Sequence, residues 1–534
     1  MTLSETKAEY LRREAQRNLD SQKSALERNK VGQFSTPTKL ALEMSKVACD
    51  YLPNSTRIRF LDPAIGTGVF FYAAKQYFGN RIEVAKGFEI DGNIAEVAKQ
   101  LWEPFGLEVH VLDFCSAEMP QTEQERADLI ICNPPYVRHH HLSALQKTSL
   151  QRSSRDAASV SLGGLAGLYC HFVALAHPWM AQQAVAAWLI PSEFMAVNYG
   201  KAIRDYLLNR VTLLRIHRFD PHDVQFNDAV VSSAVVFFCN KTPTQDTLVE
   251  FTFGGELTTP ARKALISVHD LRTESKWTRF PNAGVRSIDS GPKLADLFKI
   301  KRGVATGANE IFILSASEAE SHTLPSEFLR PILPSPRFLK ADEIAADAEG
   351  NPIVDEPKFL LDCRLPEKET ADRYPSVYRY LKNAESVVGT RYLCSKRLPW
   401  YLQENRPATP LLCTYIGRSD TERGHPFRFI LNHSKATAAN VYLMLYPKPI
   451  VASEIENDES LIRKIWEELR SISSEDLVAE GRVYGGGLHK VEPRELANVS
   501  AATICALLQT KMPSRCYDVD LFTKQLLPAD RQPR

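Results

Sequence analysis

Short apolar runs alternate with amphipathic stretches through the first 240 residues, and runs of this length, broken by glycine and proline, predict buried strands. Arg59-Phe60-Leu61-Asp62 is the first, followed by a glycine turn through Gly66 and Gly68 and a helix over 69–77. Ala85 to Glu89 gives a second strand ending in acids, Val109 to Leu112 a third tipped by Asp113 and Phe114, and Asp128 to Cys132 a fourth. Trp188 to Pro191 and Ser232 to Phe238 read as further core strands, and 198–209 as an exposed-face helix. Upstream, Leu40, Met44 and Val47 are spaced as one helix face behind a Thr36-Pro37 start. The first thirty residues predict a charged helix with a sparse apolar stripe (Leu11, Leu19, Leu26). Its expected place is peripheral, against the rest of the chain or a binding partner.

The pattern changes after the Thr242-Pro243-Thr244 linker. Four segments are expected: an N-terminal extension over 1–30, a catalytic domain over 31–245, a connecting segment over 246–290 and a second domain over 291–534. A chain of 534 residues exceeds what one core supports. An apolar fraction of 44% and a charged fraction of 24% are those of an ordinary globular protein. No apolar run is long enough to span a bilayer and no signal peptide is visible, so no membrane partner and a cytoplasmic location are expected. The ten cysteines include no C-x-x-C pair, and three successive histidines (139–141) cannot share one helix face, so no metal site is expected.

Net charge is only +1, so any affinity for nucleic acid must be local. Between 391 and 435 eight bases stand against three acids, a net +5, with Tyr392, Trp400, Tyr401, Tyr415, Phe427 and Phe429 interleaved. Lys396, Arg397, Arg418, Arg423 and Arg428 in that stretch are candidates for phosphate or base contacts. So are Lys301, Arg302 and Thr306 in a glycine-bearing segment, and His489 and Lys490 after the Gly485-Gly486-Gly487 turn. A solvated basic face is the plainer reading of the 391–435 stretch, and a hairpin-like turn that of the segment around Lys301 to Thr306. Arg138 and the histidines begin what reads as a mobile, polar loop through Ser153 to Gly164.

The chemistry concentrates at strand ends. Asn133-Pro134-Pro135-Tyr136 sets an amide oxygen and a proline carbonyl, both acceptors, beside an aromatic face, which suits an exocyclic amine on a planar base. Gly66 and Gly68 permit close backbone approach at a helix N-terminus. Glu89 lies at the spacing from which a carboxylate accepts ribose hydroxyls, and Asp113 with Phe114 suits an adenine amine and face. Each acid alone is equally a helix cap or a solvated strand end.

In this order the parts resemble the class I S-adenosyl-L-methionine-dependent methyltransferases, and within them the gamma group of N6-adenine DNA methyltransferases of type II restriction-modification systems. The resemblance implies an α/β, doubly wound, mostly parallel class I methyltransferase sheet with a C-terminal α+β target-recognition domain. It implies S-adenosyl-L-methionine held by Phe34, Thr36, Asp62, Ala64, Gly66, Gly68, Glu89, Ile90, Asp113, Phe114 and Asn133. Asn133, Pro134, Pro135 and Tyr136 would act on a flipped adenine of double-stranded DNA, with Phe226 as the second aromatic wall. A monomer and a separately encoded cognate restriction endonuclease complete what the resemblance implies. Three alternatives stay open: an RNA adenine or protein glutamine N-methyltransferase, a fused nuclease, and a catalytically silent DNA- or protein-binding module. No Pro-Asp…Glu-x-Lys constellation supports the nuclease.

Overall fold

The computed structural model describes residues 4–509 except 25–26, 29–30, 55–56, 221–231, 245, 282–290, 419–424 and 485–487. The chain divides into two compact units, Met1–Arg286 with Val483–Gly487, and Ser287–Arg482 with Leu488–Arg534.

The first unit is built on one nine-stranded sheet. In chain order its elements are α1 (Glu5–Ser21), α2 (Thr38–Tyr51), β1 (Ile58–Asp62), α3 (Val69–Phe78), β2 (Ile82–Glu89), α4 (Gly92–Trp102) and β3 (Leu107–Val111). Then come β4 (Ala127–Cys132), α5 (Ala144–Ala158), α6 (Leu168–Leu175), β5 (Met180–Pro191), α7 (Lys201–Asn209), β6 (Thr212–Arg218), β7 (Ser233–Cys239), β8 (Leu248–Gly255) and β9 (Pro260–Ser267). The strand order is β3-β2-β1-β4-β5-β7-β6-β8-β9. Strands β3, β2, β1, β4 and β5 run parallel, while β7 is antiparallel to both β5 and β6. The mostly parallel, doubly wound sheet expected from the apolar runs is therefore present.

The runs are apolar throughout because both faces of the sheet are covered. Alternate residues of one strand enter different cores. Ile130, Cys132, Trp188 and Phe238 pack with α6 and α7, while Leu129, Ile131, Leu189 and Phe237 pack with α2, α3 and α4.

Two expectations need correction. The described part of 246–290 begins with β8 and β9, which extend the catalytic sheet (β6 pairs β8 in parallel), so it is not a separate connecting segment. The stretch after Arg138 is not one long loop. Residues 144–158 are helical because Ser143 and Gln146 form a capping box, and Ser154 ties the helix inward to His171 Nδ1 at 2.8 Å. The N-terminal helix takes one of its expected places, against the catalytic core. It packs on α3 and α4 and buries Ala8, Glu9 and Arg12.

The second unit is α+β, as expected. A five-stranded sheet runs 298–302, 442–447, 411–414, 429–432, 343–344, and a four-stranded one 313–315, 358–361, 329–333, 437–438. Its helix Ser460–Ser471 buries Leu461, Ile465, Trp466 and Leu469 with Leu411, Phe429, Leu431 and Leu443 of the larger sheet. Among the described residues, no helix is long and apolar enough to cross a membrane.

Candidate active site

Four adjacent parallel strands each deliver a polar side chain at the C-terminal end: Asp113 after β3, Glu89 in β2, Asp62 in β1 and Asn133 after β4. Open α/β sheets bind ligands along this edge.

Asp62 is fully buried. Its Oδ1 accepts from the Ala64 N–H at 3.0 Å, which closes the turn after β1, while Oδ2 meets no N–H or O–H donor among the described residues. Burial pushes the Asp62 carboxyl from 3.8 up to about 7, and the neighbouring Glu89 adds to the rise. Gly66, at φ +54°, donates its N–H to Glu89 Oε2 at 3.1 Å, and Asp91 N–H donates to Oε1 at 2.9 Å. Glu89 is thus fixed by two backbone donors and keeps further lone pairs for a ligand; burial raises its pKa.

The two glycines differ. A Cβ on Gly66 would meet open space, whereas one on Gly68 (φ +91°) would lie 2.4 Å from the Trp102 ring. Trp102 is fully buried beneath the turn and donates its indole N–H to the Thr67 carbonyl at 2.9 Å. Gly66 is therefore the open side of the turn, and Gly68 the packed side. Beside Glu89, Ile90 is 70% exposed and offers an apolar platform. Phe114 is not such a platform: its ring is 4% exposed and packs against Phe88, Phe172 and Trp179. Asp113 caps the following turn by accepting from the Cys115 N–H at 2.9 Å.

Segment 32–36 lies against the strand-β4 tetrapeptide. Asn133 Nδ2 donates to the Phe34 carbonyl and to Thr36 Oγ1, each at 3.0 Å. A carbonyl only accepts, so the amide orientation is fixed, and both amide hydrogens are used. Asn133 Oδ1 is left sealed from water with no partner among the described residues. Tyr136 N–H donates to the Gly32 carbonyl at 3.0 Å. A Cβ on Gly32 would come within 2.4 Å of the Tyr136 backbone, so only glycine permits this approach. The Tyr136 hydroxyl donates to the Leu189 carbonyl at 3.1 Å, and its ring lies 5.5 Å from Phe34. Burial pushes the Tyr136 phenol up, so it is neutral at physiological pH. Pro134 is buried and Pro135 half-buried beside it. Phe226 lies outside the described residues.

The candidate DNA contacts fall into two groups. Arg138, Lys396 and Arg418 are exposed, and Lys301 is half-exposed. Others serve the fold. Arg428 donates to Asp342 Oδ1 at 2.7 Å and to the carbonyls of Leu339 and Ala341, and Arg397 donates to the Thr306 carbonyl at 2.8 Å. Thr306 is buried, accepting from the Ala308 N–H and donating to Asn309 Oδ1 at 2.6 Å. Arg302 lies over the Tyr415 ring at 3.9 Å, with Lys490 5.0 Å from the same ring, and His489 is buried. Arg423 lies outside the described residues. Among those described, no group of three His, Cys, Asp or Glu could hold a metal ion.

Sequence reasoning missed Gly32, Thr67 and Trp102, and with them Arg12 and Gln16 of α1. The only available signal was a threonine between the two glycines.

Comparison with known proteins finds restriction-modification methylases. Residues 72–225 match the family described as Eco57I restriction-modification methylase, and residues 283–525 the C-terminal domain of Type II methyltransferase M.Eco57I. The chain is 27% identical to Type II methyltransferase M.AccI of Acinetobacter calcoaceticus over 88% of its own length and 85% of that protein's. It is 28% identical to Type II methyltransferase M.XamI of Xanthomonas campestris pv. amaranthicola over 82% and 79%. Among solved structures, the Type IIL restriction-modification enzyme MmeI in complex with DNA shares the fold at a TM-score of 0.54 and 14% identity, over 92% of this chain and 78% of that one. Sheet order and strand-end site together define a class I methyltransferase fold. Within that class, the two family matches and these relatives support a DNA methyltransferase of a type II restriction-modification system.

Proposed function

We propose that the protein transfers a methyl group from S-adenosyl-L-methionine to N6 of an adenine flipped out of duplex DNA. The observation that carries this reading is the Asn133 amide. Its two donors are spent on Phe34 and Thr36, and its oxygen is left as an acceptor without a donor. A buried acceptor left unmet costs about 1–3 kcal/mol, which an N–H donor from an exocyclic amine recovers. The oxygen is sealed from water, so a base reaches it only once the flanking side chains part.

The residues along the strand edge suit the cofactor. Gly66 leaves room for close approach, Glu89 is an anchored acceptor for ribose hydroxyls and Ile90 is an exposed apolar surface for the adenine. Phe34 and Thr36 hold the Asn133 amide. When bound, S-adenosyl-L-methionine would supply the methyl group, its sulfonium leaving as a neutral thioether and N6 releasing one proton to solvent to complete the exchange. Asn133 Oδ1 and the Pro134 carbonyl accept from N6–H and orient the nitrogen lone pair, and Tyr136 with Phe226 holds the ring. Orientation of two bound reactants is the main contribution. N6 is buried in the stack, so the base is flipped, at a cost of a few kcal/mol.

The second unit reads the DNA sequence in this scheme, through exposed residues such as Lys396 and Arg418. The chain works as a monomer whose product shields DNA from a separately encoded cognate endonuclease.

Incubation with duplex DNA and methyl-labelled cofactor, then nucleoside mass spectrometry, tests the assignment. N6-methyladenine is the expected product. Label on cytosine, or on RNA or protein alone, would overturn it.

A further inference from the structure

The charged N-terminal helix has a use that its composition does not suggest. Arg12, 4% exposed, forms a forked pair with Glu9: Nε to Oε2 at 2.6 Å and Nη2 to Oε1 at 2.9 Å. An ion pair this deep is stable only if its remaining donors are met. They are met on other elements. Arg12 Nη1 donates to Thr67 Oγ1 at 3.1 Å and Nη2 to Thr38 Oγ1 at 3.1 Å, while Thr38 donates to Glu9 at 2.7 Å.

One turn further along, Gln16 continues the network. Its Oε1 accepts from Thr67 Oγ1 at 2.7 Å, and its Nε2 donates to Ser35 Oγ at 2.8 Å and to Asp20 Oδ1 at 2.9 Å. Ser35 in turn donates to Asp20 at 2.9 Å. Thr67 lies between Gly66 and Gly68 and is 3% exposed; Ser35 lies between Phe34 and Thr36, the two residues that hold the Asn133 amide. One face of the helix therefore fastens the glycine turn and the 32–36 segment to each other.

We propose that Gln16 and Arg12 are positioning residues for the cofactor site: through Thr67 they hold the glycine turn, and through Ser35 and Thr38 the segment that reaches Asn133, in the geometry that binds S-adenosyl-L-methionine. The inference rests on the methyltransferase reading. Neither residue touches the strand-end site itself. Left-handed glycines make the turn intrinsically loose, so an external tether sets its free-state population, and apparent affinity falls with the fraction of chains in the competent state.

Calorimetric titration of S-adenosyl-L-methionine into the full chain tests this without reference to turnover. Gln16→Ala is expected to weaken binding by about ten-fold, the worth of a net hydrogen bond or two. Steady-state assays of the same variant should show a raised KM for the cofactor and an unchanged kcat at saturation. Thr67→Val should behave as Gln16→Ala does, and Thr67→Ser, which keeps the hydroxyl, should restore wild-type affinity. A merely structural role predicts lower melting temperatures with unchanged cofactor affinity, and that result overturns the proposal. Failure of the wild-type chain to bind overturns the methyltransferase reading and the proposal with it, so the two failures are distinguishable.

Discussion

Asn133 illustrates how little freedom a side chain keeps at the end of a parallel strand. Two acceptors from one short segment consume its hydrogens, and what remains is a single directed oxygen. Asn133→Ala should lower methyl transfer at saturating cofactor by about 10²–10³-fold, as removal of one preorganised polar contact typically does, a larger loss than the fall in cofactor affinity that release of Phe34 and Thr36 brings. Full turnover in that variant would remove the amide from the mechanism. Asp62 carries a different consequence. Its folded pKa is raised from 3.8 to about 7 by burial, so the folded state holds the proton more tightly than the unfolded chain. The associated stability is full below the ordinary carboxylate range and is lost as pH rises to about 7. Urea unfolding at a series of pH values should show wild type losing stability relative to Asp62→Asn between pH 4 and 7, and a constant gap above. A gap independent of pH would mean the carboxylate is solvated.

At the scale of elements, the glycine turn between β1 and α3 separates two demands that look identical in sequence. Gly66 and Gly68 both need positive φ, which costs an L-residue about 1–2 kcal/mol. Only Gly68 also sits against the fully buried Trp102 indole. Gly68→Ala should therefore lower the unfolding midpoint more than Gly66→Ala. Gly66→Ala, whose added methyl points into open space, should weaken cofactor binding more than stability warrants. Denaturant unfolding and calorimetry of the pair decide this, and equal stability losses would contradict the packing argument. The helix α5 teaches a related lesson. Its polar composition suggests a loop, yet the Ser143–Gln146 capping box and the Ser154–His171 bond fix it as a helix.

On the scale of the molecule, the two units have separate cores, and the basic stretch 391–435 belongs to the second. Its described basic residues do not all serve one role. Arg428 and Arg397 fasten backbone carbonyls, whereas Lys396 and Arg418 stay exposed. Neutralising an exposed phosphate contact should reduce the salt slope of DNA binding by about one. Lys396→Ala and Arg418→Ala are therefore expected to flatten the salt dependence and leave the melting temperature unchanged. Arg428→Ala should do the reverse, because it strips donors from the Leu339 and Ala341 carbonyls and leaves Asp342 without its ion-pair partner. Fluorescence anisotropy across a salt series, beside thermal melts, separates the two behaviours.

The sequence by itself determined the parallel sheet, its strand ends and the order of the chemistry, because buried strands must be apolar on both faces and ligand-facing acids must follow them. Asp62, Glu89, Asp113 and Asn133 were legible for that reason. What it could not determine was which polar groups find each other across long separations. Composition cannot tell an arginine spent on Leu339 and Asp342 from one left in solvent, nor a ring at a strand tip, Phe114, from a core residue. Only the tertiary structure brought Gln16 to Thr67 and Ser35, and placed Phe34 and Thr36 on the Asn133 amide. Hydrophobic periodicity is a local signal. Hydrogen-bond partners 51 or 97 residues apart in the chain are set by packing alone.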